Sequence, residues 1–373
     1  MKRRAALRCH HSCDLILSLT RPVRLLSVLD VTNTDLGVEQ ICVALRAAGS
    51  VEELYHDTIF SSGIREVTAL LRAAPRLREL HTSVFYDAQE DLEDAVCMLE
   101  ARPPFGPLRM HCLCLEEQNG ALPPALAAAL GDNFLQPCMK HVKLEHCDLR
   151  PPGALDVVAN AFVAHESLCR LSILDCVVAP ANALALARTL HRNALKVLRI
   201  VDCRGMFVDA AGAVTLGDAL RANRTLEKVT LLGMPKLSAP VVAALLAALV
   251  GHHSLQCLSL SFTELEDPAA AGVALAALLI ADAPALTKLD VTHCDLKASL
   301  GAVLDALPLN SHLRALKVHG NIVPDGFMRA RLLPAVRANT SLREVVHKNC
   351  LTSEEGDNKF ALEEAQRIVA ERR

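Results

Sequence analysis

Three groups of side chains in this 373-residue chain are of types that do chemistry. The densest is Cys9-His10-His11-Ser12-Cys13, whose thiols and imidazoles suit a zinc ion. A tetrahedral site draws a second ligand pair from a separate turn, and no Cys-x-x-Cys or His-x-x-x-His pair follows nearby. No metal is therefore expected. The second group is Met110-His111-Cys112-Leu113-Cys114-Leu115. If it is a strand, Leu113 and Leu115 point inward, and Cys112 and Cys114 face solvent as bystanders open to oxidation. The third is a set of bases spread over many turns of chain: His141, Lys143, Arg170, Arg199, Lys228, Lys288 and Lys317. Each flanks a pair of apolar residues spaced as in a strand, so all are placed on its outward face. Aligned cations of this kind do no bond-making. They attract and orient an acidic partner. No Ser or Cys has an evident His base, there is no nucleophile elbow, and neither GxxxxGK nor GxGxxG occurs, so no catalytic residue and no cofactor are expected.

What must position these bases is a repeat. The pattern Leu-x-x-Leu-x-Leu-x-x-(Cys/Asn/Thr)-x-Leu recurs along nearly the whole chain, most clearly from Met139 to Leu149, Leu168 to Val178 and Leu286 to Leu296. Copies start at Leu26, Val51, Leu77, Met110, Met139, Leu168, Leu195, Leu226, Leu255, Leu286, Leu313 and Leu342, with a central period of about 29 residues. Those at Val51 and Leu77 are degenerate, having His56 and Thr82 where a third apolar residue belongs. The first half of each copy alternates as a half-buried strand, and the second half is helical. Among the helical halves, Val241–Val250 is apolar all round, and Val214, Leu216 and Leu220 form a stripe in another. Strand, tight turn and helix repeated in one direction give parallel strands with all helices outside. Helices are wider than strands, so the stack curves into a horseshoe with strands on its concave wall. The Cys/Asn/Thr position follows the strand, where a small buried donor can satisfy backbone groups that lack ladder partners. Cys147, Cys176, Cys203, Cys294, Cys350, Thr34, Thr263 and Asn321 qualify, and Met234 interrupts the ladder.

Bulk composition agrees with a stack of small layers. The chain is 51% hydrophobic but 3% aromatic, with no Trp and two Tyr. Its net charge of −3 gives no pull toward nucleic acid or anionic membrane. Thiols at one repeat position point to a reducing compartment, cytoplasmic or nuclear, with a basic transit peptide at the start as the minor alternative. Residues 1–25 read as an N-terminal cap, 26–351 as the repeats, and 352–373 as a C-terminal capping helix with Phe360, Leu362, Ile368 and Val369 as core contacts. Beside the strand bases, Glu116, Glu117, Glu145, Asp175 and Asp202 would form an acidic rim.

These blocks resemble the leucine-rich repeat family. Their length, their Cys or Asn, and the phrases ANRTLEKVTL and ANTSLREVV are similar to its ribonuclease-inhibitor-like subclass. The resemblance implies an α/β fold, a right-handed β/α solenoid, and a protein-binding scaffold. The reading is a non-catalytic monomer that binds an acidic protein on its concave face. One alternative is a Ran-type GTPase activator, whose long acidic C-terminal tract has no counterpart in the closing RIVAERR. The other is a substrate-recognition or immune-sensor module.

Overall fold

A computed structural model describes residues 5–8, 26–30, 38–55, 69–70, 72–74, 76, 79–81, 109–110, 112–116, 141–146, 148–150, 154–164, 168–191, 194–207, 210–234, 236–346 and 357–372. The chain forms two compact units, Met1–Ser172 and Ile173–Arg373. Both contain parallel strands, and the second unit alternates them regularly with helices, an α/β arrangement consistent with a repeat solenoid of the leucine-rich type. No helix among the described residues is long and apolar enough to cross a membrane.

In the first unit, β1 (Ala5–Arg8), β2 (Leu26–Asp30), β3 (Glu53–Tyr55), β4 (Glu79–His81) and β5 (Arg109–Met110) form one parallel sheet in chain order. Helix α1 (Val38–Ala48) buries Ile41, Ala44 and Leu45, a helical spacing. The degenerate copies still make strands, shortened to three residues each. Leu29 pairs with Leu54 and Leu54 with Leu80, but Leu80 then pairs with Met110, three residues ahead of Leu113. Leu113 instead pairs with Val142, between β6 (Cys112–Glu116) and β7 (His141–Glu145). The ragged early spacing thus coincides with a change of pairing between Met110 and Cys112. The strand at Ala5–Arg8 falls within the segment read as a short cap, where no repeat signal pointed to it. The Cys9–Cys13 cluster and Glu117, Cys147 and Cys350 lie outside the described residues, as do the side chains of Cys112 and Cys114. Helix α2 (Ala154–Ala164) follows, and β8 (Arg170–Leu174) spans the boundary between units.

The second unit holds β9 (Val197–Val201), β10 (Lys228–Leu232), β11 (Cys257–Ser259), β12 (Lys288–Asp290), β13 (Ala315–Lys317) and β14 (Glu344–Val346), each paired in parallel with the next. The intervening helices are α3 (Asn182–His191), α4 (Ala210–Ala222), α5 (Ala239–Leu249), α6 (Pro268–Ile280), α7 (Leu300–Ala306) and α8 (Leu333–Ala338). Asp267 caps α6, accepting hydrogen bonds from Ala269 N and Ala270 N, with Pro268 in the first turn. The core of α4 is Ala213, Leu216, Gly217 and Leu220. Val214, expected in that stripe, is half exposed. Gly217 lets α5 approach closely, since a Cβ there would sit 3.2 Å from the Ala244 carbonyl. The final helix, α9 (Asp357–Ala370), buries Leu362 and Val369, while Phe360 is 63% exposed and makes no core contact. Asn358 bonds this helix to Met328 N and the Pro324 carbonyl, and Arg372 donates to the carbonyls of Val336 and Asn339.

Where a described Cys, Thr or Asn holds the position after the strand, it does what its chemistry suggests. Cys176, Cys203 and Cys294 are buried, and their thiols donate to carbonyls such as Leu174 O and Leu260 O. Thr263 donates to Leu231 O, and Asn321 to Val291 O and Val318 O. Burial pushes the Cys294 thiol up to about 12, so it is a packing group and a donor.

A second polar ladder runs along the C-terminal ends of the helices, three residues before the Leu that opens several of the strands. Asn223, Asn310 and Asn339 each donate to a carbonyl at the end of the preceding helix layer and accept from two amides of their own turn. His252 takes this place after α5. Its Nδ1 accepts from Ser254 N and Leu255 N, so the ring must be neutral there. Its Nε2 is buried without a hydrogen bond of good geometry, although the Leu220 carbonyl is near enough to favour a proton on it. Burial, helped by Arg224 and His253, lowers its pKa. A base with a depressed folded-state pKa stabilises fully above its unfolded value near 6.5, and that stability is lost as pH falls. His252→Asn is accordingly expected to shrink the loss of stability between pH 7.5 and pH 5.5. Urea midpoints of the two proteins at both pH values check this, and equal pH slopes would refute it.

Candidate functional site

The strand register sorts the bases into two rows. Across β9 to β14, one row reads Val197, Lys228, Cys257, Lys288, Ala315, Glu344, and the other Arg199, Thr230, Ser259, Asp290, Lys317, Val346. The bases expected on the outward face thus fall in two interrupted lines. The rows wall an open groove of about 780 Å³.

Neighbours decide which charges act outward. Lys317 Nζ lies 3.3 Å from Asp290 Oδ2, so this cation is neutralised within the protein. Burial would raise the Asp290 carboxyl, but hydrogen bonds from Thr292 and Ser261, with the Lys317 charge, outweigh it and hold the group below the usual carboxylate range. At the edge of the groove Glu227 is paired with Lys196 at 3.1 Å. Arg199, Lys228 and Lys288 are exposed and make no ion pair among the described residues. Cys257 sits between the two lysines in its row, with its thiol pushed up by burial despite them. Outward register does not guarantee exposure: Thr230 and Ser259 are 8% and 9% accessible, closed over by longer neighbours.

Of the other predicted bases, His141, Lys143 and Arg170 belong to the first unit. Arg170 is exposed, His141 and Lys143 are half-buried, and His141 Nε2 lies 3.0 Å from Ser172 Oγ. Asp175 and Asp202, from the expected acidic rim, are exposed in the second unit. Burial and then the Asp175 charge push the Asp202 carboxyl up. The side chains of Glu116 and Glu145 are outside the described set.

A further row lies at the turn just before each Cys/Asn/Thr position. His146 in the first unit, and Asp175, Asp202, Gly233, Phe262, His293 and Gly320 in the second, all have φ between 50° and 69°. This left-handed backbone costs an L-residue roughly 1–2 kcal/mol, is natural to Gly, and is tolerated by short polar side chains. Phe262 is the exception, a bulky ring in that conformation and 57% exposed. It stacks on His293 with centroids 4.5 Å apart at 18°, and His293 meets His319 edge-on at 5.8 Å. Gly320 is required beneath this stack, because a Cβ there would fall 2.3 Å from His293 Nδ1. Sequence reading missed the aromatic group. The available signal was Phe262 standing where other copies have Gly, Asp or His.

No protein-family model matches this chain, and no curated protein matches it. Among solved structures it is similar to the yeast Rad7 and Elc1 complex, at 14% identity over 84% of this chain and 81% of that one, with a TM-score of 0.44. It is also similar to leiomodin-1 actin-binding site 2, at 18% identity over 35% of this chain and 73% of that one, with a TM-score of 0.29. The repeat architecture rests on the parallel ladder and its register, not on these likenesses.

Proposed function

We propose that this chain is a non-catalytic protein-interaction scaffold of the ribonuclease-inhibitor-like repeat subclass, which takes an acidic protein on its strand face. The observation that carries this reading is the set Arg199, Lys228 and Lys288, exposed and unneutralised around one groove while Lys317 and Lys196 are paired. Building such a face costs little in stability, since exposed cations on strands contribute little to folding. It steers an oppositely charged partner and fixes its orientation. The apolar repeat core supplies rigidity, so the cations are held without ordering a loop on binding.

Reversing all three charges (R199E, K228E, K288E) should weaken capture of native partners about tenfold at low salt while leaving the melting temperature nearly unchanged. Quantitative affinity purification from native cells, repeated at rising salt, measures this. Retention of the same partners with the same salt dependence by the triple variant would remove the groove from the binding surface.

A further inference from the structure

We infer that Phe262, with the His293 ring stacked on it, is an anchor site for one large apolar side chain carried by the acidic segment that occupies the basic strand face. This deepens the proposed function and rests on it. The motive is a mismatch between cost and benefit at one residue. Phe262 holds left-handed backbone at the column position where Gly233 and Gly320 do so freely, yet its ring stays largely outside the core. A strained conformation that fills no cavity points to a surface role, since strain of this kind persists at ligand clamps and binding sites.

Geometry supplies the kind of ligand. The ring lies nearly parallel to His293, which is itself braced edge-on by His319, so the platform is flat and pre-organised. Gly233, the preceding member of the column, brings no Cβ against the other side of Phe262. The Asp202 carboxylate leans over Gly233, because a Cβ there would lie 1.7 Å from Asp202 Oδ1. An acidic side chain is thus repelled from this end of the strands, while Lys228 and Lys288 attract one at the groove. Phe262 lies three residues beyond Ser259 of the groove wall, at most about 10 Å away since the chain turns at Ser261 and Phe262. A segment with carboxylates over the groove and an aromatic or large aliphatic residue two or three positions away satisfies both ends. Aromatic residues make up only 3% of the sequence, and among the described residues the other largely exposed phenylalanine is Phe360 of α9, so Phe262 is the one beside the groove.

Fluorescence anisotropy of the full chain with two labelled peptides tests this. One peptide alternates Glu and Ser; the other is identical but for a single Phe in place of one Ser. The Phe peptide should bind wild type about fivefold more tightly than its parent, and F262G and F262N should bind the two equally. F262G should also melt no lower than wild type, since Gly takes this backbone at two other members of the column. No advantage from Phe, or an advantage that survives F262G, overturns the anchor. Parent binding that is lost in the triple charge reversal then leaves the basic-face reading standing alone. Binding of neither peptide overturns both.

Discussion

Replacing Asn339 by alanine is expected to destabilise the Ile173–Arg373 unit by about 3 kcal/mol, the larger part of what a single buried side chain can contribute through hydrogen bonds. Asn339 is 1% exposed. Its amide donates to Leu307 O and Asn310 O, both at 2.7 Å, and its carbonyl accepts from Ser341 N at 3.0 Å and Leu342 N at 2.8 Å. Alanine removes no large apolar surface, so the cost comes from backbone groups left buried without partners, roughly 1 kcal/mol or more each. Asn339→Asp separates the two halves of the side chain. It keeps the acceptor for the two amides but sets a carboxylate oxygen against Leu307 O and Asn310 O in a buried site, so at neutral pH it should cost at least as much as alanine. Denaturant midpoints at constant slope give these differences. An alanine variant within about 0.5 kcal/mol of wild type would mean that water replaces the side chain.

Gly205→Ala should be comparably severe, at about 3 kcal/mol or more, for a reason that involves no lost contact. Gly205 has φ of 96°, and a Cβ there would lie 2.1 Å from the Val178 carbonyl oxygen, a backbone atom that cannot turn aside. Just beside it, Val178 N donates to Arg204 O and Arg204 N to Cys176 O, which pins the two turns together. The methyl must therefore part that bridge or move the chain. Gly251 provides the control within the same protein. Its φ is 69°, but nothing lies within 4 Å of a Cβ built on it. Gly251→Ala should cost only the conformational preference, about 1 kcal/mol. The difference between the two variants measures the steric part, and equal losses would show that only φ matters.

The fold was legible because it is written many times. Leu198, Val229, Leu258, Leu289 and Leu316 fall in register in the structure as they do in the aligned blocks, and Cys203, Thr263 and Asn321 serve as donors for the reason their chemistry suggested. The outward position of the bases was also legible. Their state of charge toward solvent was not. Lys317 is cancelled by Asp290, a residue 27 places earlier in the chain, and that pairing emerges only when neighbouring blocks are laid side by side as strands. His252 has no meaning within a single block, because its role belongs to the Asn column, whose members lie a whole repeat away. Phe262 was harder still: its backbone is set by the turn it must complete, and nothing in its side chain announces a left-handed residue.

The Asn column has one more consequence, and it is mechanical. Ala283, three residues before Leu286, occupies the column place after α6 and carries no amide to clip its turn to the end of α5; Asp282 reaches forward to Ser311 and His312 instead. His252, at the joint before, is the substitute whose outer nitrogen completes no bond. Among the described joints of this unit, the two that bound the Ala239–Leu249 layer on its helical side lack the Asn clip, and the Ser254 hydroxyl bond to Leu226 O and apolar packing carry the rest. A chain of links under tension parts where the links are fewest. Pulled along its axis, this unit should yield first around α5, with the layers on either side still intact.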